Sequence, residues 1–351
     1  MTQIKKTATL LVVFLICATL ICLGASYAMA NEKDLASEAI DSAAPLDNAN
    51  DFEETENGLT AADENQNVTV QESDSDAECF FDSDDETKVS ASFQLSGFSG
   101  ETLADDSKVK LDSSNGASAI IEASEGTVRT SFVITNGDAP EEYSMKFNLP
   151  EHTSLKFSED LEGNTDGSIE AVDESGDSLF AIGVPWALDA NGNKLTTYYR
   201  INGDTITQVV EHKDAAKYPV VADPSIKFSG WFKSGSWGTT NAKSGTGAWS
   251  GTKKITYLHL VPTDAFKISC VTSLANSETA NSFRSTSWSI VKNKFKSSKK
   301  WKNEKSLKTQ YYCHTNLLAA KGLKYGKWDI NIEPARPNVS LATCAKHGCN
   351  P

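Results

Sequence analysis

Chemistry-bearing groups gather near the end of the sequence. Cys313 and His314 are adjacent in "QYYCH", and Glu333 and Arg336 follow in "INIEPARPNV". A thiol beside an imidazole serves nucleophilic catalysis, and imidazole, carboxylate and guanidinium serve acid–base hydrolysis. Adjacent residues, however, diverge by about 100° on a helix and point to opposite faces of a strand, so Cys313 and His314 do not make a simple dyad. Leu307, Tyr311, His314 and Leu318 share one helical stripe, which turns His314 inward and leaves Cys313 beside it. Pro334 and Pro337 fix the backbone around Ala335 and Arg336 and hold the Arg fork for a carboxylate or phosphate. Two readings of His314, Glu333 and Arg336 stand. One is a catalytic trio with His259 as a further acid–base candidate. The other is a Glu–Arg pair with a hydrogen-bonded core histidine that locks this end of the chain.

The compartment decides what the cysteines do. Lys5 and Lys6 precede the apolar run "ATLLVVFLICATLICLGA", and "SYAMA" ends in an A-x-A pattern at Ala28 and Ala30. These are the parts of a secretory leader, so export with cleavage after Ala30 is expected. An uncleaved anchor is the competing reading, because the run is about long enough to span a bilayer. Neither Cys17 nor Cys22 follows a small residue, which disfavours a lipoprotein anchor. The mature chain keeps Cys79, Cys270, Cys313, Cys344 and Cys349. Four of them in one exported segment point to two disulfides, with three connectivities open, and leave Cys79 unpaired, to react or to join a dimer. A catalytic thiolate would have to stay reduced outside the cell. "CAKHGC" lacks a standard zinc spacing, and no G-x-S-x-G, H-E-x-x-H or P-loop occurs. No metal and no cofactor are expected.

Charge divides the chain into parts. Residues 31–100 carry 2 basic against 19 acidic side chains, residues 101–223 carry 9 against 23, and residues 224–351 carry 20 against 5. Residues 31–87 combine high charge with few aromatics and read as a disordered acidic segment. Residues 88–223 hold short β-branched and aromatic runs such as "TVRTSFVIT" and "YSMKFNL", divided by turns such as "DANGNK" and "INGD". They read as an all-β, sandwich-like acidic domain, with a hairpin at the Asn-Gly steps of "ANGNKLTTYYRINGDTITQVVEH". Residues 224–351 hold six of the seven Trp. "KKITYLHLVP" and "KWDINIEP" read as strands. "ANSETANSFRSTSWSIVKNKF" reads as a helix with Trp288, Val291 and Phe295 on one stripe. "SLKTQYYCHTNLLAAKGL" reads as a second helix, capped by Ser306 and ended at Gly322. This part is a small, disulfide-stapled α+β domain, and no internal repeat stands out.

Within it, "VKNKFKSSKKWKNEKSLK" sets Lys292, Lys294, Lys296, Lys299, Lys300, Lys302, Lys305 and Lys308 against Glu304, with Trp301 and Phe295 interleaved. Lysines are mobile point charges that suit diffuse attraction to a polyanion. Outside a cell the partners of that kind are anionic wall polymers and membrane surfaces, with non-specific nucleic-acid binding at low salt. The plain alternative is a solvated lysine face. An acidic segment on the same chain has a high effective concentration for these lysines and can shield them. That makes a precursor, activated by proteolysis near "YPVVADPSIKFSGW".

"QYYCH", "KWDINIEPARPNV" and the final "CNP" together resemble a family of secreted bacterial proteins, largely actinobacterial, known only as a domain of unknown function. Gln310, Cys313, His314, Trp328, Glu333, Pro334, Arg336, Pro337, Cys349, Asn350 and Pro351 match its pattern. Asp329 stands where the family has Asn, Ala335 where it has Trp, and "CAKHG" adds a cysteine. "VPWALDANGNKLTTYYRINGDTITQVVEHKDAAKYPVVADPSI" is similar to the segment before this domain, so the likeness covers about residues 178–351. It implies a Cys313–Cys349 disulfide, which leaves Cys270 to Cys344. It implies no activity.

Two functions follow as expectations: a secreted, cell-envelope-binding or antibacterial cationic module with an acidic pro-region, or a secreted hydrolase, nuclease or wall-active, using His314, Glu333 and Arg336. Mass spectrometry of the exported protein is expected to find a chain beginning at Asn31; an intact Met1 start refutes cleavage.

Overall fold

Ala77, Cys79 and Phe81 alternate with Asp76, Glu78, Phe80 and Asp82, and alternation of period two is what a strand needs. The computed structural model describes residues 35–43, 46, 48–63, 66–73, 76–85, 88–213, 217–242, 253–271, 279–321 and 329–351. The expected leader and its cleavage site lie outside these residues, as do Gly322 and Trp328. Helix α1 (Leu35–Ala43) is followed by strands β1 (Glu53–Thr55), β2 (Gly58–Ala62), β3 (Gln66–Ser73), β4 (Asp76–Ser83) and β5 (Ser90–Ser96). Next come β6 (Ser99–Asp105), β7 (Lys108–Asp112), β8 (Ala117–Ser124), β9 (Thr127–Ile134) and β10 (Glu142–Asn148). The β-rich part ends with β11 (Ser154–Glu159), β12 (Thr165–Val172), β13 (Ser178–Ile182), β14 (Trp186–Leu188), β15 (Thr197–Asn202), β16 (Thr205–Val210), β17 (Val220–Asp223) and β18 (Ser225–Lys227).

These strands form two antiparallel sheets. The first runs β1-β2-β3-β4-β5-β10-β16-β15, and the second β11-β12-β13-β18-β9-β8-β7-β6, with β17 joining β14 to β9. Phe81, Phe93 and Phe147 of the first sheet face Phe132, Phe180 and Phe228 across one core. Phe81 meets Phe180 edge-on at 5.4 Å and Phe228 at 5.1 Å, and Phe147 stacks on Phe180 at 6.0 Å. Aromatic pairs in these arrangements add to the burial term that holds the sheets together.

The acidic segment is therefore not a disordered tail. In β4, Ala77, Cys79 and Phe81 point into the core while Asp76, Glu78 and Asp82 occupy the other face. Composition blends the two faces of such a strand and makes it look disordered, although three of its four inward positions are apolar and the fourth is Ser83. The sandwich also extends past residue 223: β18 pairs with β13 and β9, and Phe228 lies in the core. The proposed cleavage stretch around Val220–Lys227 is thus two buried strands.

A repeat that the turn signals concealed closes the β11–β12 and β12–β13 hairpins and the Leu188–Lys194 bridge. Asp160, Asp173 and Asp189 each begin a D-x-x-G-[ND] loop. In each loop, Oδ1 of the Asp accepts the amides two and four residues on, at 2.7–2.9 Å. Gly163, Gly176 and Gly192 take the left-handed conformation that the turn requires. The expected Asn-Gly hairpin is present at β15–β16, where Asn202 pairs with Thr205.

Strands β8 and β9 are covered on both faces. On the outer side, Ala36 and Ile40 of α1 pack on Ile120, Val133 and Val221, and Lys108 ties Asp41 (3.0 Å) and Asp105 (2.7 Å) together. Near this cover Asp223 is buried, accepting hydrogen bonds from Trp186 Nε1 and the Ser225 hydroxyl, both at 2.9 Å.

The remaining elements are β19 (Phe232–Ala242), β20 (Lys253–Pro262), α2 (Asp264–Val271), α3 (Asn281–Phe295), α4 (Glu304–Lys321), β21 (Ile330–Ile332) and α5 (Leu341–Lys346). Strands β19-β20-β21 make a third antiparallel sheet. Its inward residues Leu258, Leu260, Ile330 and Ile332 share a core with Trp231, Phe266, Trp288 and Tyr311. Helix α3 lies between this core and the second sheet. Its first amides are capped by the sandwich: Asn281 N donates to Asp166 Oδ2 (2.8 Å) and Ser282 N to Ser168 Oγ (3.0 Å).

Burial pushes the Asp223 carboxyl up to about 6, against the opposing charge of Arg129. The folded state then holds the proton more tightly than the unfolded one, so stability falls as pH rises from about 4 through about 6. Asp223→Asn is expected to remove a loss on the order of 2–3 kcal/mol across that window, read as a flatter stability profile between pH 4 and pH 8 in denaturant titrations. Parallel profiles for the two proteins would refute it.

Candidate functional site

Helix α4 supplies the joint on which the chemistry-bearing residues meet. Leu307, Tyr311 and Tyr312 are buried in the third-sheet core, and Trp288 stacks between Tyr311 and Trp301. Gln310 is wholly buried. Its Oε1 accepts the Glu333 amide (2.8 Å) and its Nε2 donates to Glu333 O (3.0 Å), so one side chain holds the backbone of "EPARP" at two points. Asn303, at left-handed φ, donates to Pro334 O (3.1 Å) and Arg336 O (3.3 Å). The Ser306 hydroxyl donates to Pro337 O (2.9 Å). Ser306 therefore lies within α4 and binds across to the turn instead of capping the helix.

Within the turn, Arg336 N donates to Glu333 O (3.1 Å), and Arg336 Nε meets Glu333 Oε2 at 2.6 Å. Arg336 Nη1 reaches Pro351 O at 3.2 Å. The Asn350 amide, oriented so that its nitrogen donates, reaches Gln310 Oε1 (2.9 Å), Asn331 O (3.1 Å) and Cys349 O (3.2 Å). His314 lies half-buried on the same side. Burial holds its imidazole below the ordinary range, partly offset by hydrogen bonding to the Asn350 side chain and the Asn331 backbone. Glu333 and Arg336 thus form a close pair, while the contacts of His314 run to Asn350 and Asn331. This is the geometry of a latch in which Gln310, Glu333, Arg336 and Asn350 hold neighbouring segments, while Nε2 of His314 is buried without a hydrogen-bond partner.

Cys313 and Cys349 form a disulfide that joins α4 to the final residues. The expected Cys270–Cys344 bridge is absent. Cys270 sits in α2 beside the aromatic core, and Cys344 packs against the Cys313–Cys349 bond. Cys79 does not offer a reactive surface thiol: it is fully buried in the sandwich, and burial pushes its pKa up. Among the described residues, no three or more His, Cys, Asp or Glu side chains are placed to hold a metal ion.

The lysine run divides into two groups. Lys292 is drawn to Asp177 of the sandwich at 2.7 Å, with Lys296 4.0 Å from the same carboxylate. Lys308 lies over the Tyr312 ring at 5.3 Å, and burial lowers its pKa. Trp301 is half-buried: it stacks on Trp288 at 5.5 Å and donates to Glu304, so one side of its ring is taken up by the core. Lys294, Lys296, Lys299, Lys300, Lys302 and Lys305 remain exposed on the corner from the end of α3 to the first turn of α4. His259 sits on the third sheet, its Nδ1 3.0 Å from Asn331 Oδ1 and its Nε2 4.0 Å from Asp329.

Sequence reasoning missed Asn303, Ser306 and Gln310 as the residues that place this corner, because backbone-directed side-chain bonds leave no periodic signal. The spacing Ser282, Thr286, Ser289 was visible, and it marks the helix face bonded to the sandwich: Ser282 Oγ to Ile182 O (2.9 Å), Thr286 Oγ1 to Ser178 Oγ (2.5 Å) and Ser289 Oγ to Ser178 N (3.0 Å).

Residues 245–351 match a protein-family model described as "Protein of unknown function (DUF2599)". No curated protein matches the chain.

Gln310→Ala is expected to lower stability by about 2–4 kcal/mol, because it removes both bonds to the Glu333 backbone and leaves buried groups unpaired. Denaturation followed by Trp fluorescence tests this, with exposed Lys300→Ala as a control expected within about 0.5 kcal/mol of the parent. Equal midpoints for the two variants would refute the latch.

Proposed function

We propose that the protein is an exported, non-catalytic binder of anionic envelope polymers or anionic membrane surfaces, and that the exposed lysine corner is its contact surface. The observation that carries this reading is the division of the lysine run. Six side chains face solvent on one helix–turn–helix corner, while the rings interleaved with them, Phe295 and Trp301, are half-buried and pack against Trp237 and Trp288. Mobile lysine charge without a rigid Arg fork favours a flexible polyanion over a shaped ligand.

The Cys313–Cys349 bond supports export, since such bonds persist in oxidising compartments. The charged N-terminus and apolar run of the sequence support it independently. The acidic sandwich enters the reading as a permanent counterweight rather than a detachable pro-region. It meets the lysines through Asp177, and its last strands are too deeply paired to be cut while folded. The hydrolase reading loses support because Glu333 and Arg336 bond each other and neighbouring backbone.

The test uses vesicles rich in anionic lipid and, separately, an immobilised anionic polysaccharide. Replacing Lys294, Lys299, Lys300, Lys302 and Lys305 together by Ala is expected to weaken binding at least tenfold at about 0.1 M salt, given about 1 kcal/mol per cation at an anionic surface. The parent's binding should fall steeply with added salt. Undiminished binding by the variant refutes the surface.

A further inference from the structure

We propose that Cys344 and the Cys313–Cys349 bond form a thiol–disulfide exchange centre, so that the cross-link from α4 to the final residues has an alternative pairing inside the protein. The three sulfur-bearing residues gather in one buried cluster beside Val339 and Leu341. Ser340 caps α5 by accepting from Thr343 N, which sets Cys344 on the buried side of the helix. The chain then doubles back through left-handed Gly348 and Cys349, and Cys349 N donates to Cys344 O at 3.0 Å. That reversal places Cys344 Sγ 3.2 Å from Cys349 O, with its thiol donating to that carbonyl. Cys79 and Cys270 belong to other cores and take no part.

The exchange is an isomerisation and needs no oxidant or reductant. Cys344 loses its proton and its thiolate forms a bond to one sulfur of the disulfide. The Cys313–Cys349 bond breaks, and the displaced sulfur leaves as a thiolate that takes up a proton. The product is either Cys313–Cys344 or Cys344–Cys349, and in both the covalent tie between α4 and residue 349 is gone. Asn350 and Pro351 are then held only by their contacts with Gln310 and Arg336. Burial pushes the Cys344 thiol up to about 11. At neutral pH the thiolate fraction is therefore about one in ten thousand, and the rate rises about tenfold per pH unit until the thiol titrates. The fold holds the centre in its starting pairing by keeping the attacking thiol protonated.

The experiment incubates the purified full chain at pH 7 and pH 10, quenches with acid, alkylates free thiols and maps the disulfides. The expected result is a Cys344-containing disulfide to Cys313 or Cys349 at pH 10, with the displaced cysteine alkylated, forming about 1000-fold more slowly at pH 7. Cys344→Ala and Cys344→Ser should both keep Cys313–Cys349 intact at pH 10. Recovery of only Cys313–Cys349 with alkylated Cys344 at pH 10 overturns the proposal. So do new pairs involving Cys79 or Cys270, or equal scrambling in the Cys344 variants, because these mean exchange through unfolding.

Discussion

Helix α3 is buried on two sides, and the rest of the molecule is arranged around that constraint. Ser282, Thr286 and Ser289 bond the second sheet, while Phe283, Trp288 and Val291 enter the aromatic core under the third sheet. A helix with one apolar stripe packs on one neighbour; here a hydroxyl stripe adds a second neighbour without leaving polar groups unpaired. The cost of burying the hydroxyls is offset by bonds to strand backbone and to Ser178. Asp166 and Ser168 also take up the amides that open the helix. The sandwich is thereby a structural part of the C-terminal unit, with α3 anchored at its first turn and its last turn left to carry lysines outward.

Electrostatics follow the same division. Charges that the fold encloses are matched locally: Glu122 with Arg129, Lys108 with Asp41 and Asp105, and Lys227 with the carbonyls of Glu125 and Ser229. Burial still pulls the Lys227 ammonium down to about 8. The net acidity of the first two-thirds therefore resides mainly on outward strand positions and loops, and the net basicity on the α3–α4 corner. Lys292 and Asp177 meet where the two fields join. The molecule is bipolar because a single helix links the two surfaces, and no loose tail is needed to bring them together.

Much of this was legible in the residues, and the exceptions have physical causes. Strand β20 has the bounds its alternation predicts, both helices carrying the lysine run are present, and the Asn-Gly hairpin closes as its turn chemistry requires. The first strands were missed because polar and acidic residues fill their outward positions, which thins the apolar content of the segment although Leu59, Val68, Val70, Cys79 and Phe81 point inward. Counting an even set of cysteines misled for Cys270 and Cys344: parity assumes that the last two thiols can meet, whereas Cys270 is buried in the aromatic core and Cys344 in the separate cluster around the Cys313–Cys349 bond. Trp301 looked like a ligand-facing ring because its neighbours are lysines. Three residues before the start of α4, however, it reaches back to stack on Trp288.

Gln310, Cys313, Glu333, Arg336 and Cys349, which carry the resemblance, converge on one joint, and that joint also determines the lysine surface. Gln310 grips the Glu333 backbone, Arg336 reaches Pro351, and Cys313 is bonded to Cys349. Asn303 connects this latch to the corner, since it sits between Lys302 and Glu304 and donates to the carbonyls of Pro334 and Arg336. Its left-handed backbone turns the chain from the α3–α4 connection into α4. The position of Lys299, Lys300, Lys302 and Lys305 is therefore set by bonds to the final segment rather than by the lysines' own contacts. A binding surface made of mobile side chains gains definition from a rigid backbone beneath it, and here that backbone is held by groups that in isolation resemble a catalytic set.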